Sequence, residues 1–366
     1  MKKILTILLC AVLLFAIIPM GAFTAGAATS GYYTYTVSNN KATITVCDTS
    51  ISGAVTIPST LGGYPVTAIG DSAFSWCNLL TSITIPKSVT SIGNSAFSGC
   101  SNLTSITIPD NVTIIGTYAF YYCSSLTTVT IGKRVASIGA SAFEDCSLLS
   151  AINVSSNNSC FSSLDGVLYN KEKSELICYP AGRSETSYTI PNSVKVIGDS
   201  AFFWCNSLSS ITIPNSVKSI GNSAFSGCGR LSSITIPKSV TSIGDYAFYY
   251  CSRLITVTIP NNVTSIGSYA FNSCSKLSEV YYYGTVDEWN SISIEKRNEP
   301  LGSATIYYLV PVDLNGDQRF DILDLVSLKK ILAGLEDTSN LADVNKDGDV
   351  DALDVSCLIE IILTSN

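Results

Sequence analysis

Residues Ser101–Cys123 read SNLTSITIPDNVTIIGTYAFYYC, and the long central part of the chain repeats that pattern. Its anchor, Ala-Phe-x-x-Cys, recurs with the cysteine at 77, 100, 123 and 146, and again at 205, 228, 251 and 274. Within each group the spacing is 23 residues, whereas Cys146 and Cys205 lie 59 apart. Each anchor leads into Leu-x-x-Ile-x-Ile, as at Leu103, Ile106 and Ile108, and then Val-x-x-Ile-Gly, as at Val112, Ile115 and Gly116. A fixed period of this size means stacked units, none of which can bury its apolar face alone. The expected fold is a mainly β solenoid of 23-residue repeats.

In each copy the Leu, Ile, Val, Ala, Phe and Cys positions form one inward set. The residues between them, Thr84, Thr107, Thr130, Thr189, Thr212, Thr235 and Thr258, are expected to face outward as a ladder, since β-branched side chains suit a pleated surface. Pro86, Pro109, Pro214, Pro237 and Pro260 end the first strand, where a missing N–H disturbs pairing least. Gly93 and its equivalents are expected to allow the turn before the Ala-Phe segment. Thirteen cysteines in the chain would ordinarily suggest disulfides if it is exported. Ladder cysteines on rungs about 4.7–4.9 Å apart are too far apart to bridge without backbone movement. They are expected to be free, buried and small.

A solenoid end exposes an apolar cross-section and needs a cap. Gly31–Asp48 alternates around Ser-Asn-Asn-Lys as a hairpin should and is the expected N-terminal cap. Glu279–Tyr308 abandons the period, and its Trp289 and tyrosines are expected to close the other end. Ser155–Ser187 interrupts the array; it is expected to project as a hairpin of Gly166–Tyr169 and Leu176–Tyr179, with a Cys160–Cys178 bridge left open. Phe74, Phe97, Phe120 and Phe143 have counterparts 128 residues later at 202, 225, 248 and 271, which suggests that a block of rungs was duplicated.

Composition narrows the chemistry. The 366-residue chain is 46% hydrophobic, only 13% charged, and has no histidine. Ser-His-Asp and Cys-His catalysis and His-ligated zinc are therefore excluded. From Pro311 onward the net charge is −8, leaving the rest near neutral, which argues against nucleic acid as a partner. Met1-Lys2-Lys3, the apolar run Ile4–Met20 and Ala25-Gly26-Ala27 form a secretory leader pattern with cleavage expected after Ala27; a retained anchor is the alternative. No later stretch is long and apolar enough to span a bilayer. The variable residues of the anchors, Trp76, Tyr121, Tyr122, Phe203, Trp204, Tyr249 and Tyr250, either pack on the neighbouring rung or stand exposed. Exposed, they could stack on sugar rings or anchor a protein partner.

The Ile-x-Ile-Pro, Ile-Gly and Ala-Phe-x-x-Cys motifs resemble those of BspA-type leucine-rich repeats of bacterial surface proteins, over roughly Gly31 to Tyr308. That resemblance implies a leucine-rich repeat solenoid and a role in adhesion or protein binding, with ligands that differ among members.

The acidic tail carries a different pattern. Asp313, Asn315, Asp317, Asp321 and Asp324 stand at positions 1, 3, 5, 9 and 12 of a loop, and Asp343, Asn345, Asp347, Asp351 and Asp354 repeat the register thirty residues later. A calcium loop supplies oxygens at these positions, with a backbone carbonyl at position 7, here Arg319 and Asp349. Two ions are expected, and an amphipathic helix should follow each loop, over Leu323–Leu332 and Leu353–Leu363. Aspartate at position 12 and the lack of a helix before each loop resemble type I dockerins, over Pro311–Asn366. Gln318 stands where the first turn prefers glycine.

The resemblance implies a small α-helical dockerin that binds a cohesin module of a scaffoldin in a cellulosome. It places the contacts at Ile322, Leu323, Lys329 and Lys330 in the first copy and at Ala352 and Leu353 in the second, where Ile359 and Glu360 occupy the helix positions. The apolar loop pairs depart from the hydroxyl pairs of some dockerins. Together these features imply an extracellular, scaffoldin-attached, non-catalytic protein whose array binds a protein or polysaccharide. A glycoside hydrolase and an inhibitor or scaffold within the complex are the alternatives. The first needs two carboxylates about 5–10 Å apart, whereas Asp71, Asp110, Asp145, Asp199 and Asp245 fall in separate turns.

Overall fold

The alternating Ile-x-Ile segments form parallel strands in register. Leu80–Thr84, Ser105–Thr107, Thr128–Ile131 and Ala151–Val154 stack with Ile83, Ile106, Val129 and Ile152 opposite one another on the inner face. A second parallel ladder aligns Ile69, Ile92, Ile115 and Ile138. This computed structural model describes residues 25–309, 322–332, 342–344, 349–351, 354–355 and 357–359. Among them no helix is long and apolar enough to cross a membrane.

The Ala-Phe-x-x-Cys segment makes the third side without being a strand. Phe74, Phe97 and Phe120 each donate a backbone N–H to the alanine carbonyl of the next rung at 2.7–2.9 Å. Their rings stack in a column continued by Phe143, with centroids 5.1, 5.4 and 5.7 Å apart. A second column runs from Tyr179 through Phe202, Phe225 and Phe248 to Phe271 at 5.0–5.2 Å. The eleven cysteines from Cys47 to Cys274 are free, Cys160 and Cys178 included.

The ladder cysteines do more than fill space. The thiols of Cys100, Cys123 and Cys146 donate to the carbonyls of Phe74, Phe97 and Phe120 on the preceding rung, at 3.1, 3.2 and 3.1 Å. Cys228, Cys251 and Cys274 repeat the contact on Phe202, Phe225 and Phe248. Burial pushes the Cys228 thiol up to about 12, so the donated proton stays in place at neutral pH.

Three expectations need correction. The Gly93-type glycines are required by close approach between rungs and not by a left-handed turn. A Cβ on Gly116 would lie 2.5 Å from backbone atoms of Gly93 and Asn94, and the left-handed residue is instead the one two places later, Tyr118 at φ 56°. Thr258 is buried, unlike the exposed threonines of the earlier rungs, because Tyr281 pairs with it and stacks on Tyr307. The insert does not project. It forms three antiparallel strands, Phe161–Leu164, Val167–Asn170 and Glu175–Cys178, the last of which joins the array parallel to Val196–Ile197.

This insert joins two hydrophobic cores. Leu168 packs into the core of the first half, and its neighbours Val167 and Tyr169 pack into the core of the second. At the N-terminal end, the hairpin of Tyr33–Ser38 and Lys41–Cys47 caps the stack, with Tyr33 against Phe74. Ala25–Ser30 adds an outer antiparallel strand. Cleavage after Ala27 would retain its Ala28, Thr29 and Ser30 pairs. At the far end Glu279–Tyr283 and Thr305–Tyr308 continue the parallel ladder, and Trp289 is buried against Tyr282. The last rung is also closed by a polar group. Buried Asn298 accepts the Phe271 N–H and donates to the Gly267 carbonyl, both at 2.9 Å, replacing the rung that is not there.

Candidate functional site

The tail folds around a small core. Leu328 and Ile331 of the helix Ile322–Leu332 pack with Ala342, Val344, Cys357 and Leu358, and Leu309, Tyr281 and Tyr283 of the cap join the same cluster. The helix expected over Leu323–Leu332 is present one residue longer. Residues 354–355 and 357–359 are helical where the second was expected.

Asp354, at position 12 of the second loop, is fully buried. Its two carboxylate oxygens accept from Val344 N and Asp351 N, each at 2.7 Å. Those amides are loop positions 2 and 9, so one carboxylate ties the start of the loop to its end. Asp343 is half-buried, and Asp349 and Asp351 are exposed on the same loop. Carboxylate, amide and carbonyl oxygens, without sulfur or imidazole, form a donor set that suits a hard divalent cation. The chemistry of these donors therefore fits calcium. No three acidic side chains are gathered into a cluster among the described residues. Asp313, Asn315, Asp317, Arg319, Asp321, Asn345 and Asp347 lie outside the described residues, and of Asp324 only the helical backbone is described.

Of the expected cohesin contacts, Lys329 and Lys330 are exposed in the last turn of the first helix, where positive charge complements the helix dipole. Ile359, at the equivalent place in the second copy, is 38% exposed. Ile322 and Leu323 begin the first helix; Ala352, Leu353 and Glu360 lie outside the described residues.

In the array, four of the five scattered aspartates hold the backbone of the next rung. Asp71, Asp199 and Asp245 accept from Asn94, Asn222 and Ser268 N at 2.7 Å, and Asp110 accepts from Lys133 N at 3.1 Å. Asp145 has no such bond; its carboxylate raises the pKa of the adjacent Tyr121 hydroxyl, an effect second to burial. The two cores meet in a seam where the aromatic column breaks between Phe143 and Tyr179. A cavity of about 420 Å³ opens there, lined among others by Glu144, Glu175, Cys178, Asp199 and Phe203. Glu144 is shifted above the usual carboxylate range by burial, with the Asp145 charge adding to the effect. Trp76, Tyr122, Trp204 and Tyr250 are exposed, while Tyr121, Phe203 and Tyr249 are partly covered.

The family profile for the BspA type leucine rich repeat region matches residues 64–173 and 178–298 in six copies. The dockerin type I domain profile matches 311–363. A leucine-rich repeat protein from Eubacterium ventriosum is 28% identical over 77% of this chain and 84% of its own, with a TM-score of 0.59. A leucine rich cell surface protein from Faecalibacterium prausnitzii is 28% identical over 74% of this chain and 98% of its own, with a TM-score of 0.43. A leucine-rich repeat protein from Bacteroides ovatus is 26% identical over 77% and 70%, with a TM-score of 0.47. No curated protein matches. With more than half of its length accounted for by the repeat profile, the chain belongs to the BspA-type leucine-rich repeat family and carries a type I dockerin domain at its C-terminus.

Proposed function

We propose that this is a secreted, non-catalytic binding protein of a cellulosome-type assembly. A leader of residues 1–27 is removed, the array of residues 28–309 presents a surface to a protein or polysaccharide, and residues 310–366 attach it to a cohesin of a scaffoldin. The observation that carries the docking reading is the buried Asp354 carboxylate. Its two bonds to Val344 N and Asp351 N join positions 2 and 9 of the second loop through position 12. Asp343, Asn345, Asp347, Asp349 (through its carbonyl), Asp351 and Asp354 would hold one ion, and Asp313, Asn315, Asp317, Arg319 (through its carbonyl), Asp321 and Asp324 the other. Bound calcium would neutralise carboxylates that otherwise repel one another, coupling the fold of this small module to the metal. Ile322, Leu323, Lys329, Lys330, Ala352 and Leu353 would face the cohesin.

The non-catalytic reading is supported by the use of Asp71, Asp110, Asp199 and Asp245 as inter-rung acceptors. The test is capture of the full mature chain on a panel of immobilised cohesins, with calcium and with EDTA, beside a reducing-sugar assay on plant polysaccharides. Calcium-dependent capture without sugar release is expected. Failure on every cohesin class, or steady release of reducing ends, would overturn it.

A further inference from the structure

One surface position recurs as an aromatic where the fold itself gives no reason for it. The second residue after the core phenylalanine is Trp76, Gly99, Tyr122 and Asp145 in the first half, and Trp204, Gly227, Tyr250 and Ser273 in the second. All eight lie in the left-handed region, with φ between 53° and 75°. Glycine takes that conformation freely, whereas a bulky L-residue does so at a cost. Burial does little to offset it, because Trp76 is 57%, Tyr122 46%, Trp204 42% and Tyr250 49% exposed.

The glycines complete the arrangement. A Cβ on Gly99 would lie 2.7 Å from the Trp76 indole, and one on Gly227 would lie 2.7 Å from that of Trp204. Each indole thus lies across the glycine of the following rung and approaches the tyrosine two rungs on, with Trp76–Tyr122 and Trp204–Tyr250 centroids both at 6.1 Å. The result is two matching aromatic plates along the solenoid axis.

The seam lies between them. A notch of about 290 Å³ is lined there by Asp145, Ser147, Trp204, Asn206 and Ser207. Asp145 is the one aspartate of the five with no bond to the next rung. Beside the plates, the residue after each ladder cysteine is an amide, hydroxyl or glycine throughout: Asn78, Ser101, Ser124, Ser147, Asn206, Gly229, Ser252 and Ser275.

We propose that this strip binds a neutral polysaccharide chain laid along the solenoid axis, with its centre at the Trp204–Asp145 notch. The proposal rests on the binding role given above and specifies its ligand. Pyranose rings offer flat C–H faces to aromatic rings and hydroxyls at their edges. A line of half-exposed aromatic faces flanked by amides and hydroxyls matches both. The array is near neutral, so an uncharged chain meets no electrostatic barrier.

The fold supplies its own control substitutions, since glycine and tyrosine already occupy this position in other rungs. Trp204→Gly removes the ring while suiting the backbone, and Trp204→Tyr keeps a stacking face. The full mature chain and both variants would be titrated with soluble β-glucan, xylan and galactomannan by affinity electrophoresis and tryptophan fluorescence. Trp76 and Trp204 report on the strip, because Trp289 is buried in the cap. We expect binding of at least one polysaccharide, weakened about tenfold or more by Trp204→Gly and largely kept by Trp204→Tyr. Absence of binding to all three, or equal binding by Trp204→Gly, would overturn the proposal. Cohesin capture measured on the same samples separates this outcome from failure of the docking role.

Discussion

Phe225→Ala tests whether the array behaves as two coupled blocks. Phe225 is fully buried and stacked between Phe202 at 5.0 Å and Phe248 at 5.2 Å. Truncating such a residue costs about 3–5 kcal/mol when the surroundings cannot collapse. Here they cannot collapse freely, since the Phe225 N–H and Cys251 thiol contacts fix the rungs on either side. In a stacked array the loss is local and passes to neighbours through interfaces. The aromatic column is broken at the seam, and the two cores meet through the strands Val167–Asn170 and Glu175–Cys178, with Leu168, Ile177 and Cys178 on one side and Val167, Tyr169 and Leu176 on the other. Hydrogen exchange read by mass spectrometry should therefore show lost protection across the rungs around Ser210–Ile266. The strands from Leu80 to Ile131 should stay protected, and urea unfolding should split into two transitions. One cooperative transition with exchange raised equally in both halves would refute the two-block argument. An undiminished midpoint would refute the claimed role of the column.

Gly116→Ala should destabilise the array by about 1–3 kcal/mol or more through overpacking, because the added Cβ meets backbone at 2.5 Å; thermal melts check this, and an unchanged midpoint would contradict the close-approach argument. Glu144 has a raised folded-state pKa, so its contribution is favourable at low pH and is lost as pH rises through that value. Glu144→Gln should accordingly raise the melting temperature at about pH 8 and make little difference near pH 4, and a variant less stable at both would count against it. EDTA should remove the helical circular dichroism of the tail and abolish cohesin capture while the β signal persists; helicity unchanged by chelation would argue against the metal-coupled fold.

Much of the outcome could be read from particular residues. The spacing of Phe and Cys set the rung, the Ile-x-Ile alternation set the inner face, and the hairpin at Tyr33–Cys47 was visible from its turn. The close of Asp354 on the amides of Val344 and Asp351 joins positions that the spacing had already singled out. Less legible were the cysteine thiols bonded to phenylalanine carbonyls and the Asn298 cap, because both join atoms on different rungs. A signal for Asn298 existed only in hindsight, as a buried amide in a stretch without period.

Local periodicity alone dictated that the chain would coil and which side chains would face inward, because each of these depends on neighbours a rung or less away. Three-dimensional packing decided the rest. It turned the insert into a wedge between two cores, gave Gly116 to interstrand clearance, used four aspartates as rung clips and left Asp145 beside Trp204. Those outcomes depend on which backbone of a distant rung comes within a few ångströms, and a one-dimensional pattern does not contain that distance.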